Sequence, residues 1–115
     1  MRVCVVVPVY NHGEPLRVTA ARLAEFGLPV LVVDDGSDEA TKAAIADVAA
    51  RHCVEVVTLA SNSGKGHAVM AGLRAAAQRG FTHAIQVDAD GQHDLRDLPR
   101  LLAVAKSAPA ALICG

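Results

Sequence analysis

Short β-branched apolar runs alternate with longer alanine- and leucine-rich segments along the whole chain. The short runs end at glycine, proline or polar residues, which is typical of strands, and Ile45 and Val48 lie three residues apart, as on one face of a helix. The pattern predicts five strands, at Val3–Val9, Val30–Val33, Val54–Leu59, His83–Val87 and Ala111–Cys114. It predicts four helices between them, at Pro15–Phe26, Asp38–Arg51, Gly66–Arg79 and Asp94–Lys106.

The resulting order, βαβαβαβαβ, favours a parallel sheet with right-handed crossovers and helices on both faces. The first run, Val3–Val9, is apolar throughout, as expected for a strand that is buried on both faces. A length of 115 residues suits one domain, so residues 1–115 are taken together. We therefore expect an α/β fold of three layers, α/β/α, with a mostly parallel, Rossmann-like sheet.

Composition excludes several classes of function. The chain is 52% hydrophobic, its formal net charge is −1, and it has no tryptophan, so it offers neither a basic surface nor stacking platforms for nucleic acid. No apolar run approaches the roughly 18–20 residues of a transmembrane helix. The three cysteines, Cys4, Cys53 and Cys114, lack metal-type spacing and predict buried thiols in a reducing compartment, which favours a cytoplasmic location.

Polar clusters follow each of the first four predicted strands. Their sequences are YNHGE from Tyr10, DDGS from Asp34, SNSGKGH from Ser61 and DADGQH from Asp88. Parallel strands have their carboxyl ends at one edge of the sheet, where open α/β sheets bind ligands, so the clusters predict a ligand site there. The alternative is that such residues only cap helices and form turns, which is expected for Ser37, Asp38 and Asp94 in particular.

Asp88 and Asp90 leave the fourth strand on the same side, because residues two apart in a strand share a face. Two carboxylates held this close disfavour each other's ionisation unless a cation lies between them. Mg²⁺ or Mn²⁺ would relieve the repulsion, since hard cations take carboxylates together with substrate phosphates. The alternative is a solvated turn with two exposed aspartates.

Two further clusters bear on the same ligand. A carboxylate of the Asp34-Asp35 pair is suited to accept hydrogen bonds from a nucleoside, and Tyr10 either lies against a base or packs in the fold. Lys65 is not part of a phosphate-binding P-loop, because Leu59 and Gly66 stand where that motif needs glycine and serine or threonine. It either neutralises a diphosphate near a helix N-terminus or is a surface lysine.

Four segments together resemble the successive motifs of inverting GT-A glycosyltransferases of family 2. They are VVPVYNHGEPL, VLVVDDGSDEAT, NSGKGHAVMAGLRAA and HAIQVDADGQHD, and they cover essentially the whole chain in order. The last is most similar to the dolichyl- or polyprenyl-phosphate mannosyl- and glucosyltransferase branch. The resemblance implies the GT-A nucleotide-diphospho-sugar transferase fold, truncated to its N-terminal nucleotide-binding part.

The resemblance also implies roles for particular residues. Those that bind the nucleotide-sugar are Pro8, Tyr10, Val33, Asp35, Lys65, Asp88, Ala89, Asp90 and Gln92. Those that hold Mg²⁺ or Mn²⁺ are Asp88, Asp90 and Gln92. The chain departs from the branch where His12 replaces a glutamate and Leu95 replaces a proline, so the nucleoside contact of that glutamate is not carried over.

For a complete enzyme, the resemblance implies single-displacement transfer of a sugar from a GDP- or UDP-sugar to an acceptor such as a polyprenyl phosphate. The protein is then expected in the cytoplasm, with a peripheral position at the inner face of the membrane. Family members continue past the fifth strand and carry their general base there. We therefore expect no catalytic base within the chain and weak or no transfer by these 115 residues alone.

The sequence leaves one alternative function open and argues against another. One is a non-catalytic nucleotide-binding or assembly module that acts with a partner chain. The other is a nucleotidyltransferase, which would need a glycine-rich, basic loop directly after the first strand, where YNHGEP stands instead. A fifth strand at the sheet edge further predicts a homo-oligomer.

Overall fold

The computed structural model describes residues 2–11, 13–52, 54–89, 99, 103 and 111–114. The strands are β1 (Val3–Val9), β2 (Val30–Asp34), β3 (Glu55–Thr58), β4 (His83–Gln86) and β5 (Ala111–Cys114). The helices are α1 (Gly13–Ala24), α2 (Glu39–His52) and α3 (Lys65–Gln78). The bounds of β1 and β5 are those predicted, and the ends of the other elements shift by one or two residues. The predicted helix Asp94–Lys106 lies outside the described residues except for Pro99 and Ala103, which are helical.

The five strands form one parallel sheet in the spatial order β3-β2-β1-β4-β5. The register sets Val7 of β1 opposite Val32 of β2, and Val5 of β1 opposite Ile85 of β4. The central position of β1 explains its unbroken apolar sequence, since it has strands on both sides and helices on both faces. This sheet confirms the predicted parallel α/β architecture.

Helices cover both faces of the sheet. On one face, the side chains of Leu16 and Leu23 from α1 pack with Val5 and Val7 of β1. On the other face, alanines of α3 such as Ala68 pack against the intervening residues of β1 and β2. The two cores take alternate residues of the same strands, as the pleat requires, and they confirm the three-layer prediction.

Helix α3 lies unusually close to the sheet at Gly72. A Cβ atom at this position would be 2.5 Å from Cγ1 of Val6 and 3.0 Å from Cγ2 of Val33, both closer than carbon atoms pack. Only glycine therefore allows this separation between α3 and the central strands. The close contact fixes α3 so that its N-terminus, at Lys65, lies at the edge of the sheet formed by the strands' carboxyl ends.

The predicted buried thiol is present at Cys4, which is unpaired and lies wholly inside the α3-facing core. Burial raises the pKa of this thiol to about 11, so it stays protonated and unreactive at neutral pH. Cys53 lies outside the described residues. Within the described ranges, no helix is both long and apolar enough to cross a bilayer.

Candidate functional site

A cavity of about 360 Å³ lies at the edge of the sheet where the carboxyl ends of the strands meet. Segments at the ends of β1, β2, β3 and β4 all contribute to its wall. The lining residues are Pro8, Val9, Tyr10, Asn11, Asp35, Asn62, Gly64, Lys65, Ala68, Asp88 and Ala89. Parallel pairing thus brings together four polar segments that are far apart in the sequence.

Most of the predicted site residues meet in this cavity. Those that line it are Pro8, Tyr10, Asp35, Lys65, Asp88 and Ala89. The side chain of Val33 does not, because it is fully buried in the core beneath α3. Asp90 and Gln92 lie outside the described residues. The binding roles assigned to all nine residues stay predictions.

Tyr10 stands at the cavity mouth, 48% exposed, directly after β1. The next residue, Asn11, has a left-handed backbone with φ of 58°, a conformation that asparagine tolerates better than most residues. Its backbone N–H donates to Oγ of Ser37 at 3.0 Å, and its Oδ1 accepts the backbone N–H of Asp38 at 2.9 Å. Asn11 therefore ties the segment that carries Tyr10 to the turn after β2.

The two adjacent aspartates at the end of β2 have different surroundings. Asp34 is buried, and its carboxylate accepts a hydrogen bond from the backbone N–H of Ser37 and another from Nζ of Lys42, both at 2.9 Å. Burial alone would raise the pKa of Asp34, but the hydrogen bonds from Lys42 and Ser37 hold it below its ordinary value. The same contact raises the pKa of Lys42. Asp34 therefore stabilises the turn and does not face the cavity.

Asp35 faces the cavity and also connects two loops. It is only 2% exposed, and its two oxygens accept the backbone N–H groups of Ser63 at 2.9 Å and Gly64 at 3.0 Å. Gly36, with φ of 80°, brings the turn so close that a Cβ there would lie 2.7 Å from the backbone nitrogen of Asn62. The loop before α3 is thus held by hydrogen bonds and close packing against the turn after β2.

Lys65 and Asp88 form an ion pair at the cavity wall. The distance from Nζ of Lys65 to Oδ1 of Asp88 is 2.6 Å, and the side chains are 58% and 23% exposed respectively. Gln86 donates a further hydrogen bond from Nε2 to the same oxygen at 3.3 Å. Asp88, the first acid of the predicted metal site, is therefore paired with the positive charge of Lys65.

A complete metal site is not assembled by the described residues alone. Within them, no group of three or more histidine, cysteine, aspartate or glutamate side chains is placed to hold a metal ion. Asp88 is described, whereas the other two predicted ligands, Asp90 and Gln92, are not. The carboxylate of Asp88 is a hard oxygen donor beside the cavity, and its ammonium partner shows that the position accepts a cation.

The predicted alternative for Asp38 is confirmed, since its Oδ1 accepts the backbone N–H of Thr41 at 2.9 Å and caps α2. Asn11 and Asn62 also line the cavity, and the sequence interpretation placed both in the predicted polar clusters without naming either as a site residue. The available signal was an asparagine in a loop that follows a strand, since asparagine favours turns and left-handed backbone. That signal alone does not separate a cavity residue from an ordinary turn.

The chain is similar to several known proteins. The profile of the family described as Glycosyl transferase family 2 matches residues 4–115. The undecaprenyl-phosphate mannosyltransferase of Micrococcus luteus is 39% identical over 113 residues, which cover 94% of this chain and 46% of that protein. The polyprenol monophosphomannose synthase of Mycolicibacterium smegmatis is 37% identical over 117 residues, which cover 96% of this chain and 44% of that protein.

Among solved structures, the chain is similar to the mannosyltransferase PcManGT from Pyrobaculum calidifontis, whose structure contains GDP-Man and Mn²⁺. The TM-score is 0.68 with 30% sequence identity, and the match covers 77% of this chain and 27% of that one. The chain thus spans less than half the length of the relatives that it matches.

Proposed function

Because the chain belongs to glycosyltransferase family 2, we propose that it binds a nucleoside-diphosphate sugar in the cavity between Tyr10 and Asp88. The observation that carries this proposal is the content of that one cavity: an exposed aromatic ring, two carboxylates and a lysine at the carboxyl ends of parallel strands. A base, a ribose and a diphosphate need these three kinds of partner. The chain would form the donor-binding part of an inverting glycosyltransferase.

The surroundings of each residue suggest its contribution. Tyr10 is exposed at the mouth and offers a face to a base, while Pro8 and Asn11 line the wall beside it. Asp35 keeps acceptor capacity beyond the two N–H groups it already binds, because a carboxylate has about four lone-pair sites. Its remaining sites can accept from a nucleoside. Lys65 supplies positive charge for a diphosphate.

A divalent ion fits the acidic end of the cavity. Asp88 is a hard oxygen ligand that already has a cationic partner, and Asp90 and Gln92 are the further ligands that we propose. Mn²⁺ accompanies GDP-Man in the structure of PcManGT, which supports a divalent ion here without distinguishing Mn²⁺ from Mg²⁺. When bound, such an ion would offset the negative charge that develops on the leaving diphosphate.

We assign Asp35 and Asp88 to binding and not to proton transfer. Both carboxylates are engaged by the protein, Asp35 by two backbone N–H groups and Asp88 by Lys65 and Gln86. Such contacts hold each carboxylate in place and suit a residue that binds a ligand or a cation. The general base of the transfer reaction would then come from outside the described residues.

The acceptor that we propose is a polyprenyl phosphate. The names of the Micrococcus and Mycolicibacterium relatives refer to undecaprenyl phosphate and to polyprenol monophosphomannose, respectively. A lipid acceptor would require the protein to work at the membrane surface, which agrees with a peripheral cytoplasmic location. A homo-oligomer stays a prediction.

Calorimetric titration tests the proposal. GDP and UDP are each titrated into the 115-residue chain with Mn²⁺, with Mg²⁺ and with EDTA. We expect one nucleotide to bind with a dissociation constant in the micromolar to millimolar range when a divalent ion is present, and to lose most of its affinity in EDTA. Equal affinity in EDTA, or no binding of either nucleotide, would contradict the proposal. If a longer form of the protein bound the nucleotide but transferred no sugar, the result would favour the non-catalytic module.

A further inference from the structure

We propose that Lys65 is an exchangeable counter-ion of Asp88. In the free protein its ammonium pairs with the carboxylate of Asp88. When a divalent ion binds that carboxylate, the ammonium moves away and pairs with the diphosphate of the nucleotide. This inference rests on the proposed function and adds to it a competition between two cations for one carboxylate. The observation behind it is the 2.6 Å contact between Nζ of Lys65 and Oδ1 of Asp88 at the cavity wall.

The backbone of Lys65 is held in position. It is the first residue of α3, and the preceding Gly64 donates its N–H to Asp35 and accepts from the N–H of Ala68 at 3.0 Å. The Cα atom is therefore fixed, whereas the four-carbon side chain is 58% exposed and can rotate. Movement of Nζ away from Asp88 requires no change in the fold.

Asp88 is the less mobile partner. Its side chain is only 23% exposed, and Nε2 of Gln86 donates to the oxygen that Lys65 contacts. If the pair separates, the lysine moves and the carboxylate stays. The geometry thus presents a fixed acid with a mobile cation, as an exchange requires.

The charge of Lys65 is expected to have opposite effects on the binding of the metal alone and on the binding of the nucleotide. A divalent ion and an ammonium in contact with the same carboxylate repel each other, so binding of the ion to Asp88 favours displacement of Lys65. Without a nucleotide, the displaced ammonium exchanges a carboxylate partner for solvent, and Lys65 therefore weakens metal binding. With a diphosphate in the cavity, the ammonium gains phosphate oxygens, so Lys65 strengthens nucleotide binding.

The substitution Lys65→Met separates these two effects, because it keeps a similar side-chain length without the charge. We expect Mn²⁺ alone to bind the variant at least about threefold more tightly, the range that a partly exposed ion pair allows. We expect the nucleotide, GDP or UDP, that binds the wild type to lose about tenfold or more of its affinity at saturating Mn²⁺. Free Mn²⁺ is measured by electron paramagnetic resonance and nucleotide binding by calorimetry.

Two variants control for long-range charge. Arg74→Met removes one positive charge from the exposed face of the same helix, about 13 Å along its axis, and both affinities should stay within about twofold of wild type. Lys65→Arg keeps the charge and should restore the weak binding of Mn²⁺ alone.

The outcomes separate this inference from the proposed function. A wild-type chain that binds metal and nucleotide, with unchanged or weaker Mn²⁺ binding in Lys65→Met, would overturn the exchange alone. An equal gain in Mn²⁺ affinity in Arg74→Met would also overturn it, since the effect would then be net charge. A wild-type chain that binds neither Mn²⁺ nor nucleotide would overturn the proposed function together with this inference.

Discussion

The carboxylate of Asp35 accepts the backbone N–H of Gly64 at 3.0 Å, across 29 residues of sequence. Asp35 is the first residue after β2, and Gly64 immediately precedes the first residue of α3. Together with the hydrogen bond from Ser63, this contact decides where α3 starts relative to the sheet. The position of Lys65 at the cavity wall therefore depends on an acid in a different loop.

Replacing this acid should weaken both binding and folding. In Asp35→Asn, the amide presents one N–H₂ group where the carboxylate presented an oxygen, so one of the two backbone N–H groups loses its acceptor. We expect the free energy of unfolding to fall by about 1–3 kcal/mol and nucleotide affinity to fall about tenfold or more. Urea denaturation and calorimetric titration measure the two effects.

Asp34→Asn is the matched control for that substitution. Asp34 is the adjacent residue and is equally buried, but its partners are Ser37 and Lys42 and it does not line the cavity. It should lose stability while the folded variant keeps nucleotide affinity within about twofold of wild type. A parallel loss of affinity in both variants would contradict the separate roles assigned to the two acids.

The stability supplied by Asp34 should depend on pH in a defined direction. Its pKa is lowered in the folded protein, so the folded state favours the ionised carboxylate relative to the unfolded chain. That contribution is complete above the ordinary pKa of aspartate and is lost as the pH falls through the lowered value. The difference in unfolding free energy between wild type and Asp34→Asn should therefore be constant near neutral pH and shrink below about pH 4. A difference that grows on acidification would contradict the assignment.

Gly72→Ala should destabilise the fold although alanine favours helices. The added Cβ would meet Cγ1 of Val6 at 2.5 Å, and overpacking of this kind costs about 1–3 kcal/mol, more than the ~1 kcal/mol that helix propensity returns. Gly66→Ala is the control on the same helix, because a Cβ there meets no atom within 4 Å. It should leave the unfolding free energy unchanged or raise it by up to about 1 kcal/mol. Equal effects of the two substitutions, measured by urea denaturation, would argue against the close helix–sheet contact.

Substitutions of Asn11 should follow a graded order. Aspartate keeps both the acceptor for the N–H of Asp38 and a tolerance for positive φ, glycine keeps only the tolerance, and alanine keeps neither. We expect unfolding free energy and nucleotide affinity to decrease in the order Asn11→Asp, Asn11→Gly, Asn11→Ala. If alanine were as good as glycine, the left-handed backbone at this position would not matter for the site.

The sequence was sufficient to predict the architecture because each element follows from its own local pattern, and general topology rules then arrange the elements in a sheet. The valine run Val3–Val9 predicts a buried strand, and parallel pairing then requires the four polar clusters to share one edge of the sheet. The family resemblance pointed to Asp35, but the physical pattern of the sequence could not predict which of Asp34 and Asp35 faces the cavity. That choice depends on contacts with Lys42 in one case and with Gly64 in the other, and only the assembled loops define them.

The sequence could not predict the ion pair between Lys65 and Asp88 for a similar reason. Each residue was a candidate on its own, Lys65 for a diphosphate and Asp88 for a metal. Their contact depends on the close position of α3 over β1 and β2, which Gly72 permits. Nothing in the spacing of the two residues along the chain indicates it.

The most direct test of the proposed site is a crystal of the chain soaked with Mn²⁺ and the nucleoside diphosphate that binds in solution. We expect an anomalous manganese peak beside the carboxylate of Asp88, diphosphate density next to it, and the base near Tyr10. We also expect Nζ of Lys65 to have left its position 2.6 Å from Asp88. Manganese or nucleotide bound elsewhere on the protein, with the cavity at the strand ends unchanged, would contradict the account.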